Sequence, residues 1–302
     1  MADIFFEREA APDYGHAVQI APSVRRVTAR NPGPFTFHGT NSHIVGEASL
    51  AIVDPGPDDP THVAALLAAA AGRAVTHIFI THTHLDHSGA TERLVEATGA
   101  KTVGAGRHRP ARPLHIGEAN PLDAAADMRF VPDLTVTDGE TVAGDGWTLE
   151  AIATPGHTAN HLAFALRGLD LILSGDHVMG WATTIVAPPD GAMADYMRSL
   201  DRLLARPEEL YLPGHGGPVT AAHAYVRALR NHRRMRETAI LARLAAGDRV
   251  VAALVAAIYR DTPAALHGAA ALSVLAHLED LVARGRVVTE GPARIDGTYR
   301  LA

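Results

Sequence analysis

The sequence predicts an α/β fold followed by a smaller C-terminal unit of helices closed by a β-ribbon. Two observations carry the first part. The apolar run Val75 to Ile80 follows an Ala/Leu-rich helical stretch and leads directly into Thr81-His82-Thr83-His84-Leu85-Asp86-His87, placing a side-chain cluster at a strand's C-terminal end. Three later apolar runs end in the same way, each on a turn that carries one His or Asp. The C-terminal unit rests on amphipathic helices after residue 220 and a terminal hairpin pattern.

The chain has 302 residues, enough for one large domain plus an appendage, with the 47% hydrophobic and 20% charged content of an ordinary globular protein. No apolar stretch is read as reaching the ~20 residues of a membrane span, so no membrane partner is expected. The start MADIFFEREA is acidic and lacks the basic and apolar regions of a signal peptide, so a cytoplasmic location is expected. Cysteine is absent, which excludes disulfides, thiol nucleophiles and thiolate ligands. The net charge of −6 is uneven. Residues 1–220 hold 15 Lys+Arg against 26 Asp+Glu, a net of −11, whereas residues 221–302 hold 12 against 7, a net of +5. Such a split suggests two modules, the basic one facing an anion or the acidic body itself.

In order along the chain, 17–54 reads as short β segments, with a turn at Gly39-Thr40-Asn41 and a strand Leu50 to Val53 running into Asp54-Pro55-Gly56. Thr61 to Ala71 is a helix stopped by Gly72, and Val75 to Ile80 the next strand. Ser88 is read as the cap of one helix continuing to about Ala97. A strand at Lys101 to Val103 precedes a loop at 105–127 that carries Arg107, His108, Arg109 and Arg112, read as a solvated loop or the lining of an anionic pocket. Strands follow at 134–137, 147–153, 162–166, 169–173 and 209–212, with a helix at 192–205. No repeat of 20–50 residues is present, so no solenoid is expected; the second half repeats the style of the first, and two similar α/β halves packed sheet against sheet are expected. Residues 221–247 form one connecting helix, and 248–302 a winged-helix-like domain built from helices at Val250 to Tyr259 and Ser273 to Ala283 and a hairpin. The last helix carries Glu279 and Asp280, which favours packing or dimerisation over DNA readout, and a homo-oligomer is compatible with this.

The chemistry concentrates in H-x-H-x-D-H. Neutral imidazole and carboxylate are the donors that borderline divalent ions take, and this spacing arises by accident in well under ~1% of chains of this size. Thr154-Pro155-Gly156-His157, Ser174-Gly175-Asp176-His177 and Pro213-Gly214-His215-Gly216 supply further donors from strand ends.

HTHLDH followed by PGHT, SGD and PGHG resembles the metallo-β-lactamase superfamily over about residues 20–220, which implies a four-layer αβ/βα sandwich with metals at one sheet edge. The resemblance assigns His82, His84 and His157 to a first metal, Asp86, His87 and His215 to a second, and Asp176 to both. It gives Asp54 the role of the acid that orients the ligand loop. The lack of cysteine departs from the commonest β-lactamase class, and no long insertion separates Asp176 from His215. The segments GTNSHIVG and Asp176 to Thr184, with the C-terminal module, are most similar to the lactamase-beta-like protein 2 type, whose mitochondrial member cleaves single-stranded RNA.

The resemblance implies a binuclear hydrolase, zinc suiting the donors best with manganese and iron also fitting, whose bridging hydroxide is the nucleophile and whose Asp86 is catalytic. Single-stranded RNA is the leading substrate expectation. A glyoxalase II-like thioesterase, or a lactone or ester hydrolase on a small molecule, is the alternative, and a non-catalytic nucleic-acid-binding regulator the third. A Ser-His-Asp mechanism lacks its G-x-S-x-G elbow. His161 and His177 are outer-shell or substrate candidates, and Trp181 and Thr183 lie on the loop where substrate would enter.

Overall fold

The computed structural model describes residues 4, 6–8, 12–120 and 122–302. A first sheet has seven strands in chain order: β1 (Val18–Ala21), β2 (Val24–Thr28), β3 (Asn41–Val45), β4 (Leu50–Val53), β5 (Val75–Phe79), β6 (Lys101–Gly104) and β7 (Leu134–Thr135). Its first four strands are antiparallel hairpins, and β4 to β7 are parallel. The crossovers carry α1 (Pro60–Ala70) between β4 and β5, and α2 (Leu85–Ser88) and α3 (Thr91–Thr98) between β5 and β6. The second sheet contains β8 (Thr141–Gly144), β9 (Trp147–Ala153), β10 (Leu162–Leu166), β11 (Leu171–Gly175) and β12 (Leu210–Pro213), in the spatial order β12-β11-β10-β9-β8. Only β11 and β12 are parallel there, and α4 (Met193–Leu204) connects them.

Side-chain alternation builds the layers. On the first sheet Val53, Phe79 and Val103 face the second, where they meet Phe164, Leu173 and Leu212. Phe79 and Phe164 pack edge to face, with centroids 5.1 Å apart. The intervening residues Ile52 and Ile78 point outward onto Leu66 of α1 and Leu94 of α3. Ile152, Ile172 and Tyr211 point outward from the second sheet onto Tyr196 and Leu200 of α4 and Val226 of α5 (Ala222–Ala245). Helix, sheet, sheet and helix therefore stack as the αβ/βα sandwich, with the C-terminal ends of β5, β11 and β12 on one edge.

A separate core forms at the C-terminus. Ile240 and Leu244 of α5 pack with Leu254 of α6 (Val251–Ile258), Val274, Leu278 and Leu281 of α7 (His267–Ala283), Val287 of β13 (Val287–Thr289) and Tyr299 of β14 (Tyr299–Leu301). The two strands pair antiparallel as a wing. Run Ala264–Ala283 has the length and apolar composition to cross a membrane, contrary to the reading that no stretch does. Much of its apolar surface is the core of this unit, and Glu279 and Asp280 sit on it in pairs with Arg112 and Arg284.

Other local expectations change. Asn41 is in β3 rather than a turn. Ser88 caps nothing: its Oγ donates to the carbonyl of His84, and α2 and α3 are separate helices. The break follows from a close crossing, since Gly56 N donates to His87 O and Ala90 N donates to Gly56 O. A side chain on Gly89 would lie 2.4 Å from Leu85 O. Strand β8 was not expected, and α7 begins at His267, not Ser273. The strand placed at 169–173 is Leu171–Gly175.

Candidate metal centre

Four strand ends deliver the donors. His82 and His84 follow β5, and Asp86 and His87 ride the first turn of α2. His157 follows β9, Asp176 follows β11 and His215 follows β12. Their donor atoms fall into three overlapping groups: His82, His84 and His157; Asp86, His87 and His215; and His82, His87 and Asp176. Within each group every donor lies within 4.8 Å of the others.

The edges of this polyhedron are short. Nδ1 of His84 is 3.0 Å from Nε2 of His82 and 3.1 Å from Nε2 of His157. Nε2 of His87 and of His215 face each other at 3.2 Å. Asp176 sits between the groups, with Oδ1 3.4 Å from His87 Nε2, and Oδ2 3.4 Å from His215 Nε2 and 3.8 Å from His157 Nε2. Asp86 Oδ2 is 3.3 Å from His215 Nε2 and 3.5 Å from His87 Nε2.

Each imidazole except His84 is anchored by its far nitrogen. His87 Nδ1 donates to Asp54 Oδ2 at 2.9 Å, and His157 Nδ1 to the carbonyl of Ile185 at 2.7 Å. His215 Nδ1 donates to the carbonyl of Gly39 at 3.2 Å. His82 Nδ1 meets Thr81 Oγ1 at 3.0 Å, and that hydroxyl donates to Asp54 Oδ2 at 2.7 Å. Occupying the far nitrogens with protons turns the Nε2 lone pairs inward. Lone pairs that converge at about 3 Å repel unless a cation or proton lies between them, and the buried Asp176 Oδ1 has no hydrogen-bond partner. The donor set thus fits divalent metal.

Electrostatics divides the centre. Burial, reinforced by neighbouring imidazoles, pushes His82 well below its ordinary pKa and His84 down to about 3, so both are neutral. Burial also disfavours charge on His87 and His215, but there the carboxylates win. Asp86, Asp176 and Asp54 hold His87 well above its ordinary value, and Asp176 and Asp86 raise His215 to about 9. Burial pushes the Asp86 carboxyl up, yet His87 and His215 more than offset it and hold it below the carboxylate range. One end is an all-imidazole pocket, the other a carboxylate-rich one where protons occupy the positions a cation takes.

The sequence profile of the metallo-beta-lactamase superfamily matches residues 35–215, which include every one of these donors. The chain belongs to this superfamily. The profile of the beta-lactamase associated winged helix domain matches residues 250–294. A beta-lactamase-like protein 2 homolog of Caenorhabditis elegans is 31% identical over 91% of this chain and 88% of its own length. An atrochrysone carboxyl ACP thioesterase of Aspergillus fumigatus is 27% identical over 78% of this chain and 69% of its own. In fold, a beta-lactamase domain protein from Burkholderia ambifaria superposes with a TM-score of 0.80 at 23% identity, covering 97% of this chain and 96% of that one. A metallo-beta-lactamase family protein from Thermus thermophilus gives 0.74 at 23% identity, over 93% and 99%. The protein is a metal-dependent hydrolase of the metallo-β-lactamase superfamily with an associated winged helix.

Around the superfamily's donor cluster, Asp54 takes the orienting role expected of it, and other residues do what local sequence did not disclose. Asp54, at a positive φ of 55°, also accepts Thr81 N at 2.8 Å, so one carboxylate binds the strand end, Thr81 and His87. Asn41 fixes the His215 turn: its Nδ2 donates to the carbonyls of Pro213 at 3.1 Å and Gly216 at 2.8 Å. Gly214 is a glycine because a Cβ there would stand 2.5 Å from His87 Cε1 and 2.7 Å from Asp176 Oδ1. Polar types and a Pro-Gly turn marked these positions, but their partners are distant in sequence, 27 and 33 residues for Asp54 and 172 and 175 for Asn41.

The outer candidates separate. His161 stacks beside His82 at 5.1 Å, its Nε2 accepting from Asp176 N at 3.2 Å and its Nδ1 meeting Thr154 Oγ1 at 2.8 Å. It supports the cluster without facing it. His177 turns away: its ring packs on Tyr196 and neither nitrogen has a hydrogen-bond partner. Trp181 stacks on Phe37 at 4.9 Å and, with Thr183, lines a cavity of about 410 Å³ between the sandwich and the C-terminal helices. Arg112 belongs to no anion pocket: it bridges Glu118 and Glu279 at 2.7 Å each.

Proposed function

We propose that the protein is a two-metal hydrolase with His82, His84 and His157 holding one ion, Asp86, His87 and His215 a second, and Asp176 shared. The convergence of seven donors at 3.0–3.8 Å, with the far nitrogens of His82, His87, His157 and His215 anchored, is the observation that carries this reading. Divalent ions there, zinc suiting the donors best, supply hydroxide near neutral pH and polarise the scissile carbonyl or phosphoryl oxygen. The protein's own part is orientation. Asp54 and Thr81 fix the His82 and His87 tautomers and ring orientations, so that their Nε2 atoms face the ion positions. Asp86, the most exposed carboxylate of the set with 29% of its side chain accessible, takes the catalytic role as an ionised group, held so by His87 and His215, that accepts a hydrogen bond from the attacking water.

Single-stranded RNA is the leading substrate. Its support is the cavity beside the centre, where the exposed ring of Phe35 and the outer face of Trp181 are available for stacking and Arg8 and Arg236 offer cationic groups. Its wall touches the centre directly, because Thr184 Oγ1 donates to Asp176 O at 2.6 Å and Ile185 O accepts from His157. A thioester is the second reading, favoured by the relative named as a thioesterase.

The test is metal analysis of the purified protein, with parallel turnover of a labelled RNA oligomer and an acyl thioester across a salt series. RNA cleavage whose affinity falls steeply with salt supports the leading reading. Thioester turnover alone supports the second, and full activity after complete metal removal overturns both.

A further inference from the structure

A fourth group of donors lies outside the centre and takes no part in the reading above. His108, Asp123 and Asp190 bring their donor atoms within 4.8 Å of one another. His108 and Asp190 have side chains only 2% and 0% exposed, yet His108 Nε2 and Asp190 Oδ2 have no hydrogen-bond partner. The two atoms stand 3.4 Å apart. That is too long for a charge-assisted N–H···O bond, which closes to about 2.7–2.9 Å. It is the separation of two neighbouring ligands on one tetrahedral ion with bonds of about 2.0–2.1 Å. Asp176 stands at the same 3.4 Å from His87 and from His215.

The surroundings are arranged as for a ligand set. His108 Nδ1 lies 2.9 Å from Thr83 Oγ1, and donating its proton there leaves the Nε2 lone pair toward Asp190. Thr83 is held in turn by Asn160 Nδ2 at 2.9 Å. Asn120 Nδ2 donates to Oδ1 of Asp190 at 2.5 Å and to Oδ1 of Asp123 at 2.7 Å, drawing the two carboxylates together.

We propose that His108, Asp123 and Asp190 form a further divalent-cation site, for zinc or manganese, that clamps segment 105–127 to the loop before α4. One imidazole with two carboxylates suits either ion, with water completing the shell. Asp190 lies three residues before α4, and Ala111 N already donates to Pro189 O at 2.7 Å, so the ion fastens a crossing that backbone contact begins. Because His108 also contacts Thr83, between His82 and His84, the clamp steadies the loop that carries them.

The experiment strips the full chain with a chelator and titrates it with zinc alone or manganese alone, counting bound ions per chain. Wild type is compared with D123A, H108A and D190N. Asp123 is exposed, so D123A keeps the fold even where D190N does not. Each folded variant is expected to lose one equivalent, or to bind it at least the roughly 10–100-fold more weakly that even an outer-shell change produces. The remaining equivalents stay as in wild type. D123A, which touches neither Thr83 nor the main donors, makes this difference independent of how many ions the main centre holds. Titrations of D123A and H108A that superimpose on wild type with both metals overturn the proposal.

Discussion

Asp54 and His87 are joined at 2.9 Å although 33 residues separate them, and the same carboxylate oxygen also receives the Thr81 hydroxyl. One side chain therefore sets both a ligand's tautomer and the path of the ligand loop. D54N keeps the shape but cannot accept equally at all three contacts. Metal affinity is expected to fall roughly 10–100-fold, read by titration with a chromophoric chelator, with the far-UV spectrum unchanged.

G214A places a methyl group against His87 and Asp176 where no space exists. Overpacking of this kind costs about 1–3 kcal/mol. The expected outcome is lower metal occupancy together with a lower Tm, whereas G268A, where a Cβ meets nothing and φ is not positive, keeps both at wild-type level. Metal analysis and thermal unfolding of the two variants check this.

Acid should unfold the protein through histidines remote from the centre. Burial holds His43 at about 3, His62 at about 4 and His277 at about 3, each below the ordinary 6.5. Between those values and 6.5 the unfolded chain binds more protons than the folded one, so stability is lost as pH falls from 6.5 toward 3–4. Each such group contributes up to about 1.4 kcal/mol per pH unit. Denaturant unfolding from pH 7 to 4.5 measures the slope, and H277Q is expected to flatten it by about one proton.

Most of the sandwich was legible because its strands are short apolar runs that end at Gly, Pro or Asp, and the donors followed from motifs at those ends. What escaped lacked a local signal. Strand β8 is an edge of Thr, Val, Ala and Gly with exposure alternating along it, so no apolar run marks it. The break between α2 and α3 comes from Gly56 crossing at Gly89, a tertiary constraint. Arg112 read as a solvated or anion-lining residue because Glu279 lies 167 positions away. The contribution of Asn41 was invisible for the same reason. His177, adjacent to Asp176 in sequence, is turned away by the strand's end.

That Arg112 contact ties segment 105–127 to helix α7 of the winged helix, with Glu118 completing the pair. R112M should lower stability by about 1–3 kcal/mol by stranding two partly buried carboxylates. A double variant with E279M is expected to recover part of the loss, and a double-mutant cycle in denaturant measures the coupling.

The donors of the centre hang from both sheets: His82, His84, Asp86 and His87 from the end of β5, and His157, Asp176 and His215 from the ends of β9, β11 and β12. Bound metal is therefore a rivet through the seam of the sandwich. Sliding either sheet by one residue along the other would scatter the seven donors, so ion binding proofreads the alignment of the two halves. A chain that acquires its metal only after the sheets have met commits at that moment to a single register.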